Sequence, residues 1–346
     1  MTLTSSDLPC RERGLMNHRT NSAPGRPLVH IGYHKTASTW FQKQVYPRVD
    51  GAACLPRPAI AEALLTPHAL HFDPQDARRQ LNAAAGDAGG RLLLCHEELS
   101  GHPDSGGHNG CLSKLVAERL RDTLPEAEIV VLVRHQLEMI ASIYKQYVRV
   151  GGTHRPARYL YPARWRGGAF ASPYKIPLFS FEHFAYDALV EHYRDLFGAS
   201  RVHVFTYEAF REDPRGFLSG FVDRLGLAVD PDRPQLAAEN VAYGSRVLQL
   251  ARWLNRLTAA NVADKRCFLD LFRSHKAFKR LMASLNRTPL AGRALDARSL
   301  LGEEVVADID ARYAGSNKRL MQMTGLALDR FGYPGVTALG VGQAAA

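Results

Sequence analysis

Four short apolar runs punctuate the chain, and each is followed by a segment with helical spacing. PLVHIG (27–32) leads straight into STWFQKQVY, so a strand, a tight turn and a helix are predicted there. RLLLC (91–95) reads as a buried strand, CLSKLVAERLRDTL (111–124) as an amphipathic helix, EIVVLV (128–133) as a second buried strand and QLEMIASIYKQYV (136–148) as the helix behind it. FEHFAYDALVEHYRDLFG (181–198) is predicted as a helix stopped by Gly198, and RVHVFTY (201–207) as a strand. DPRGFLSGFVDRLGL (213–227) then reads as a helix capped by Asp213, with Pro214 in its first turn. Strands that are apolar throughout and alternate with helices imply a parallel sheet covered on both faces. The expected fold class is α/β, a three-layer arrangement of P-loop type around a central parallel sheet.

From about residue 244 the strand signals stop, and SRVLQLARWLNRL and a segment from Asp308 to Phe331 read as helices. No Pro/Gly/Ser-rich linker separates them from the sheet. One domain over 27–334 is therefore expected, its C-terminal part helical, between a flexible leader (1–26) and a flexible tail (335–346). The glycine-rich GHPDSGGHNG (101–110) reads as a loop beside the strand end at Cys95.

The 346 residues are 46% hydrophobic and 23% charged, which excludes collagen-like and disordered classes. Forty-four Lys and Arg against 34 Asp and Glu give a formal charge of +10. Such a surface favours an anionic partner, be it nucleic acid, a membrane or a small molecule. The five cysteines, Cys10, Cys54, Cys95, Cys111 and Cys267, are odd in number and widely spaced, with no CxxC pair. That fits reduced thiols better than a disulfide framework or a zinc site. No run approaches the roughly 20 apolar residues of a membrane span, and residues 1–26 lack the apolar core of a signal peptide. A cytoplasmic protein is expected.

The first strand runs into Gly32-Tyr33-His34-Lys35-Thr36-Ala37-Ser38-Thr39, which has the length of the P-loop pattern GxxxxGK[ST] but not its lettering. Ala37 replaces the second glycine, Ser38 stands where the nucleotide-triphosphate lysine would be, and the lysine sits three residues earlier at Lys35. A tight strand-to-helix turn aims backbone N–H groups and the positive helix end at one spot, which suits phosphate or sulfate. The hydroxyls of Thr36, Ser38 and Thr39 add donors, although the same residues would also serve an ordinary Ser/Thr-capped helix start. The strand EIVVLV ends in Arg134-His135, where a magnesium-binding NTPase would place a carboxylate. A cation at the carboxyl end of a strand points to a second anionic group, with Ser142 about two helical turns further on. Arg134 alone would equally fit a surface ion pair.

IGYHKTASTWFQ resembles the 5′-phosphosulfate loop of sulfotransferases that use 3′-phosphoadenylyl sulfate (PAPS), and VVLVRHQLEMIASIY resembles their 3′-phosphate motif. LLLCHEELSG is similar to the strand and acidic turn of bacterial members. VHVFTYEAFREDPRGFLSGFVDRLGL is similar to the family's tyrosine-glutamate strand end and the helix after it, and SNKRLMQMTGLALDRFGYP to the closing segment of many bacterial members. The resemblance covers roughly residues 27–334 and points toward the bacterial, carbohydrate-type branch. It implies that Lys35 contacts the leaving phosphate and bridging oxygen, as an electrostatic or acid catalyst. It further implies that Thr36, Ser38 and Thr39 hold the 5′-phosphosulfate, that Ala37 and Trp40 also belong to the cofactor-binding set, that Arg134 and Ser142 bind the 3′-phosphate, and that Tyr207 touches adenine. The late Arg-Lys-Gly triplet of the cytosolic family is missing; Lys318 and Arg319 are the candidates to take its place.

Sulfuryl transfer needs a base for the acceptor's proton. The turn after RLLLC supplies His96, Glu97 and Glu98. The resemblance aligns Glu97 with the bacterial strand-end glutamate, with His96 second, whereas either glutamate could instead only cap the loop. No metal is required; His68 and His71 have HxxH spacing but no further ligand set. From Arg149 to Phe181 the chain holds Arg149, Arg155, Arg158, Arg164, Arg166 and Lys175 with no Asp or Glu, interleaved with Tyr159, Tyr161, Trp165, Phe170 and Tyr174. Arginine forks and aromatic faces suit a glycan or glycolipid acceptor, and a solvated basic loop is the plain alternative. Competing readings are a P-loop kinase, a nucleic-acid binder using FRSHKAFKRLMASLNR, and a peripheral contact of that stretch with an anionic membrane. A partner nucleic acid is not expected.

Overall fold

The computed structural model describes residues 25–86, 89–102, 110–161, 179–232, 234, 243–258 and 275–336. Each of the four apolar runs is a strand, and together with a fifth, shorter one they form one parallel sheet in the order β2-β3-β1-β4-β5. In chain order the elements are β1 (Leu28–Gly32), α1 (Ser38–Trp40), β2 (Ala52–Cys54), α2 (Arg57–Leu64), α3 (Pro74–Ala85), β3 (Arg91–Cys95), α4 (Ser113–Thr123), β4 (Glu128–Val133), α5 (Gln136–Arg149) and α6 (Pro156–Leu160). They continue with α7 (Tyr186–Phe197), β5 (Val202–Thr206), α8 (Tyr207–Glu212), α9 (Pro214–Leu225), α10 (Ser245–Leu254), α11 (His275–Leu285), α12 (Ala297–Leu301) and α13 (Glu303–Thr324).

The continuous apolar strands have the expected cause. Successive side chains point to opposite faces of a sheet, and both faces are covered. Leu28, Leu93, Cys95, Val130 and Leu132 pack with Trp40, Phe41, Leu218 and Phe221 on one side. Val29, Ile31, Leu94, Ile129, Val131 and Val133 face the other, with Ile60, Leu120, Tyr144 and Val190. That second layer also takes in Tyr313 and Leu320 of α13. The expected three layers around a parallel sheet are therefore present.

Several details differ from the sequence expectation. β2 was not predicted, because Ala52–Cys54 is too short and too alanine-rich to stand out as a strand. The helix expected from Ser38 lasts three residues before widening into a π-helical turn (Phe41–Val45) and tightening into a 3-10 turn at Tyr46–Arg48, where Pro47 has no N–H to continue the ladder. Tyr207 opens α8 instead of closing a strand, since the Thr206 side chain accepts from the Ala209 amide and caps a helix there. The segment expected as one helix over Asp308–Phe331 is α13, which starts at Glu303 and ends at Gly325 in the left-handed conformation, followed by a 3-10 turn, Asp329–Phe331. Asp213 caps α9 as expected, accepting from the Gly216 amide at 3.0 Å. Cys54, Cys95 and Cys111 are free thiols; Cys10 and Cys267, the leader before residue 25 and the tail after 336 lie outside the described residues. Among the described residues no helix is long and apolar enough to cross a membrane.

Candidate active site

β1 lies in the middle of the sheet, with β3 on one side and β4 on the other. The turns at the carboxyl ends of these three neighbours carry Lys35, Glu97 and Arg134. Open α/β sheets bind ligands at such a place.

The β1 loop is shaped by its own side chains. Lys35 (φ 61) and Ala37 (φ 68) are both left-handed without being glycine, a conformation that persists only where surroundings over-determine it. Such alternation turns successive backbone N–H groups toward one side, the concavity that receives an anion. The Thr36 hydroxyl donates to the Tyr33 carbonyl at 2.5 Å and the Ser38 hydroxyl approaches the same oxygen at 3.4 Å. Both side chains thus set the curl of the loop. Ala37 occupies the helix N-cap with no side-chain cap, so the plain Ser/Thr-capped start does not apply. Thr39 is half-buried at the loop's end. The Trp40 ring packs against Phe41 and Phe210, and its amide donates to the Ala37 carbonyl at 2.8 Å.

Glu97 is brought to the loop by a close backbone approach. A Cβ on Gly32 would sit 3.0 Å from the Glu97 Cα, and Gly32 has φ 100, so only glycine fits where the two strand ends meet. Arg57, the first residue of α2, holds Glu97 Oε1 at 2.9 Å. The other oxygen, Oε2, is buried with no hydrogen-bond partner among the described residues. His96 Nδ1 accepts from the Glu98 amide at 3.2 Å, which leaves its proton on Nε2. Burial pulls the His96 imidazole down to about 4, with Arg57 adding to the effect and Glu97 opposing it. A neutral ring whose acceptor nitrogen caps a turn is poorly placed to take a proton, and this separates His96 from Glu97. Glu98 forms a loose pair with His102 at 3.7 Å. His34, Glu98 and His102 offer three ligand atoms that all lie within 4.8 Å of one another. His68, the other histidine of interest, accepts from the Leu70 amide at 3.3 Å.

Arg134 donates from Nη1 to the Lys35 carbonyl at 3.1 Å, tying the β4 turn to the β1 loop. Its guanidinium lies 4.8 Å from the centre of the Tyr207 ring, a cation–π contact that brings those two predicted residues together. Its backbone is clamped on both sides. The Tyr186 hydroxyl donates to the Arg134 carbonyl at 2.7 Å, and the buried Glu208 accepts from the His135 amide (2.9 Å) and the Tyr333 hydroxyl (2.7 Å). Arg134 Nε is buried with no hydrogen-bond partner among the described residues. Ser142 is half-buried on α5, on the ridge that Glu138 and Lys145 share by helical spacing. Glu138 pairs with Arg134 at 3.6 Å. Lys145 donates to the Leu295 carbonyl at 2.7 Å, and its charge is felt together with those of Glu138 and Arg134. Sequence reasoning passed over Lys145 and Arg57. The first was legible one turn beyond Ser142, the second only from the fold. Arg319, suggested for the missing triplet, is committed to Asp187 at 2.6 Å, and Lys318 is exposed.

The three turns act on one another electrostatically. Burial lowers the Lys35 ammonium below its usual range, Arg149 and Arg134 lower it further, and Glu97 raises it. An ammonium made more acidic while flanked by cations is suited to meet incoming negative charge and to give up a proton. A cavity of about 410 Å³ adjoins the loop through Tyr33, with His183 and His192 in its wall. Burial pulls both His30 and His183 down to about 3, so the folded chain holds them neutral. The unfolded chain takes up those protons near pH 6.5. Stability is therefore complete above pH 6.5 and lost as the pH falls toward 3, so the urea midpoint should drop between pH 7.5 and pH 5. A flat profile over that range would mean that these rings gain water or partners.

Two aromatics expected to face a sugar do not. Tyr159 is 1% exposed and stacks on Tyr147 at 4.3 Å, and the Tyr161 hydroxyl donates to Asp308 at 2.6 Å. They belong to the core because α6 turns that face inward. Arg164, Arg166, Lys175, Trp165, Phe170 and Tyr174 lie outside the described residues.

No curated protein sequence matches the chain. A sulfotransferase from Alicyclobacillus acidocaldarius shares 20% identity, covering 63% of this chain and 87% of its own, with a TM-score of 0.41. The sulfotransferase domain from the curacin biosynthetic pathway shares 13%, covering 79% and 99%, with a TM-score of 0.39. A mouse sulfotransferase complexed with PAP shares 12%, covering 88% and 86%, also with a TM-score of 0.39. Residues 108–231, which include β4, the Arg134 turn and Tyr207, match the model of a sulfotransferase family.

Proposed function

We propose that the chain is a sulfotransferase that moves a sulfuryl group from PAPS to a hydroxyl or amine of an acceptor. One observation carries the reading. Three adjacent strand ends bring together a cation of lowered pKa (Lys35) and two buried polar atoms with no hydrogen-bond partner among the described residues, Glu97 Oε2 and Arg134 Nε. Such atoms in native proteins are met by water or by a ligand, and these two stand at the end of the sheet where ligands bind. PAPS when bound supplies an activated sulfuryl group on a phosphate leaving group.

The residues divide the work by their surroundings. The concave β1 loop presents amides to the 5′ end, and Lys35 neutralises charge building on the leaving oxygen or protonates it. Glu97, held by Arg57 through one oxygen, takes the acceptor's proton with the other. Arg134, with Ser142 and Lys145 along α5, receives the 3′-phosphate, and Tyr207, already under the guanidinium, offers a face to adenine. The carboxylate-free stretch opening at Arg149 and Arg155 supports a glycan or glycolipid acceptor. No metal enters the scheme.

Calorimetry with adenosine 3′,5′-bisphosphate tests the reading. Binding without magnesium is expected, and Arg134→Ala should weaken it about 10–100-fold, as expected for losing a charge-assisted contact, while binding 5′-AMP as the wild type does. A variant that still prefers the bisphosphate in the wild-type ratio would remove Arg134 from the site. One observation favours a kinase instead: β3, beside the loop strand, ends in two carboxylates, Glu97 and Glu98. Magnesium-dependent ATP binding, with none for the bisphosphate, would choose that reading.

A further inference from the structure

Six large apolar side chains are exposed among the described residues, and four of them, Leu250, Trp253, Leu281 and Leu290, come from one corner. That corner is built from α10, α11 and the turn Pro289–Ala291, with α10 packed against both others. Gly244 at the head of α10 donates to the Asn286 side chain at 2.8 Å, and Ser245 donates to the Arg293 carbonyl at 2.9 Å. The apolar groups are thus neighbours on a tied assembly.

Helical spacing sorts the residues of α10 into two faces. Val247, Leu248 and Ala251 are buried, whereas Arg246, Leu250, Trp253 and Arg256 are exposed on the other side, with Trp253 at 56%. On α11, Arg280 and Leu281 lead to Arg287 just past its end, all exposed. Residues 243–258 and 275–293 contain eight Lys and Arg and not one Asp or Glu.

We propose that this corner docks the protein on an anionic phospholipid membrane. Trp and Leu suit the boundary just beneath the headgroups, and an arginine rim suits the phosphates around them. Charge complementarity selects this occupant. A second copy would bring the same positive corner against itself, and a nucleic acid would use the arginines but leave Leu281 and Leu290 in water. The corner is also joined to the catalytic side of the sheet. Asn255 donates to the Val148 and Gly152 carbonyls at 2.8 Å each, and Arg252 to the Tyr144 hydroxyl at 3.3 Å, which fastens α10 to α5. Arg149, at the end of α5, is felt by Lys35, Tyr243 and Lys279 alike. Docking does not depend on the reaction proposed above.

Flotation of the full chain with vesicles of phosphatidylcholine, with and without phosphatidylglycerol, tests the proposal. The expected result is recovery with the anionic vesicles alone, reduced about tenfold in Trp253→Ser/Leu281→Ser and similarly in Arg280→Glu/Arg287→Glu. The second pair is fully surface-placed, and an unchanged melting temperature certifies the fold of both variants. Failure to float with either vesicle would overturn the proposal. So would anionic binding that ignores the Trp253/Leu281 change, since attraction by charge alone needs no apolar corner. Dimers in light scattering that this double variant dissolves would assign the corner to a second copy, and tighter binding to single-stranded DNA than to vesicles would assign it to nucleic acid.

Discussion

Lys35→Ala is expected to lower the sulfuryl transfer rate about 10³-fold or more, the order that follows when a preorganised charge at a leaving group is removed. The size follows from the site. The ammonium is largely buried and pressed by Arg134 and Arg149, so water cannot easily replace it. The backbone should tolerate the change, because alanine meets the same left-handed strain at φ 61 as lysine does. Circular dichroism and melting temperature should match the wild type, and adenosine 3′,5′-bisphosphate should still bind through Arg134. Lys35→Arg should recover little, since a planar fork cannot replace a point charge that gives up a proton. A loss below tenfold would place Lys35 outside the reacting group.

Glu97→Gln should cost about 10²- to 10⁴-fold in turnover, the usual contribution of a positioned base, with bisphosphate binding unchanged. The substitution is nearly isosteric, and its amide oxygen can still accept from Arg57, so the 2.9 Å contact survives while proton acceptance does not. His96→Asn should be much milder, because His96 Nδ1 is occupied by the Glu98 amide. Full turnover in the Glu97 variant, together with a large loss in the His96 variant, would exchange their roles. An Arg57→Ala variant separates positioning from proton transfer. It should lower turnover by less than Glu97→Gln does and leave bisphosphate binding unchanged, because the carboxylate keeps its proton-accepting oxygen but loses the 2.9 Å contact that orients it.

Much of the sheet could be read from local composition. A strand buried on both faces is apolar nearly throughout, and LVHIG, RLLLC, EIVVLV and VHVFT approach that, with Arg91 and Glu128 at strand starts and histidine at one position each in LVHIG and VHVFT. The α9 boundary was legible for the same reason, since Asp213 and Pro214 are local devices. β2 was not, because a three-residue edge strand is stabilised by its pairing with β3 and hardly by its own side chains. The aromatics of α6 misled for a related reason. Tyr159 and Tyr161 have a polar tip and an apolar body, and only the direction in which the helix faces decides which end governs.

Residue types and spacing marked Lys35, Arg134 and the turn His96-Glu97-Glu98 as candidates, since each stands just past an apolar run and carries groups that a phosphate or a proton transfer can use, and the family resemblance singled out Glu97 within the turn. Their meeting was decided by topology. They are separated by 62 and 37 positions in the chain, and become neighbours only because β1 is placed between β3 and β4. The same folding packed Trp40 against Phe210 and paired Arg319 with Asp187. It also added Arg57, which nothing in its local sequence distinguishes from any arginine at a helix start. Periodicity records which side chains avoid water, and it records this locally. Which charges face one another depends on contacts between distant segments, and those exist only once the sheet has formed.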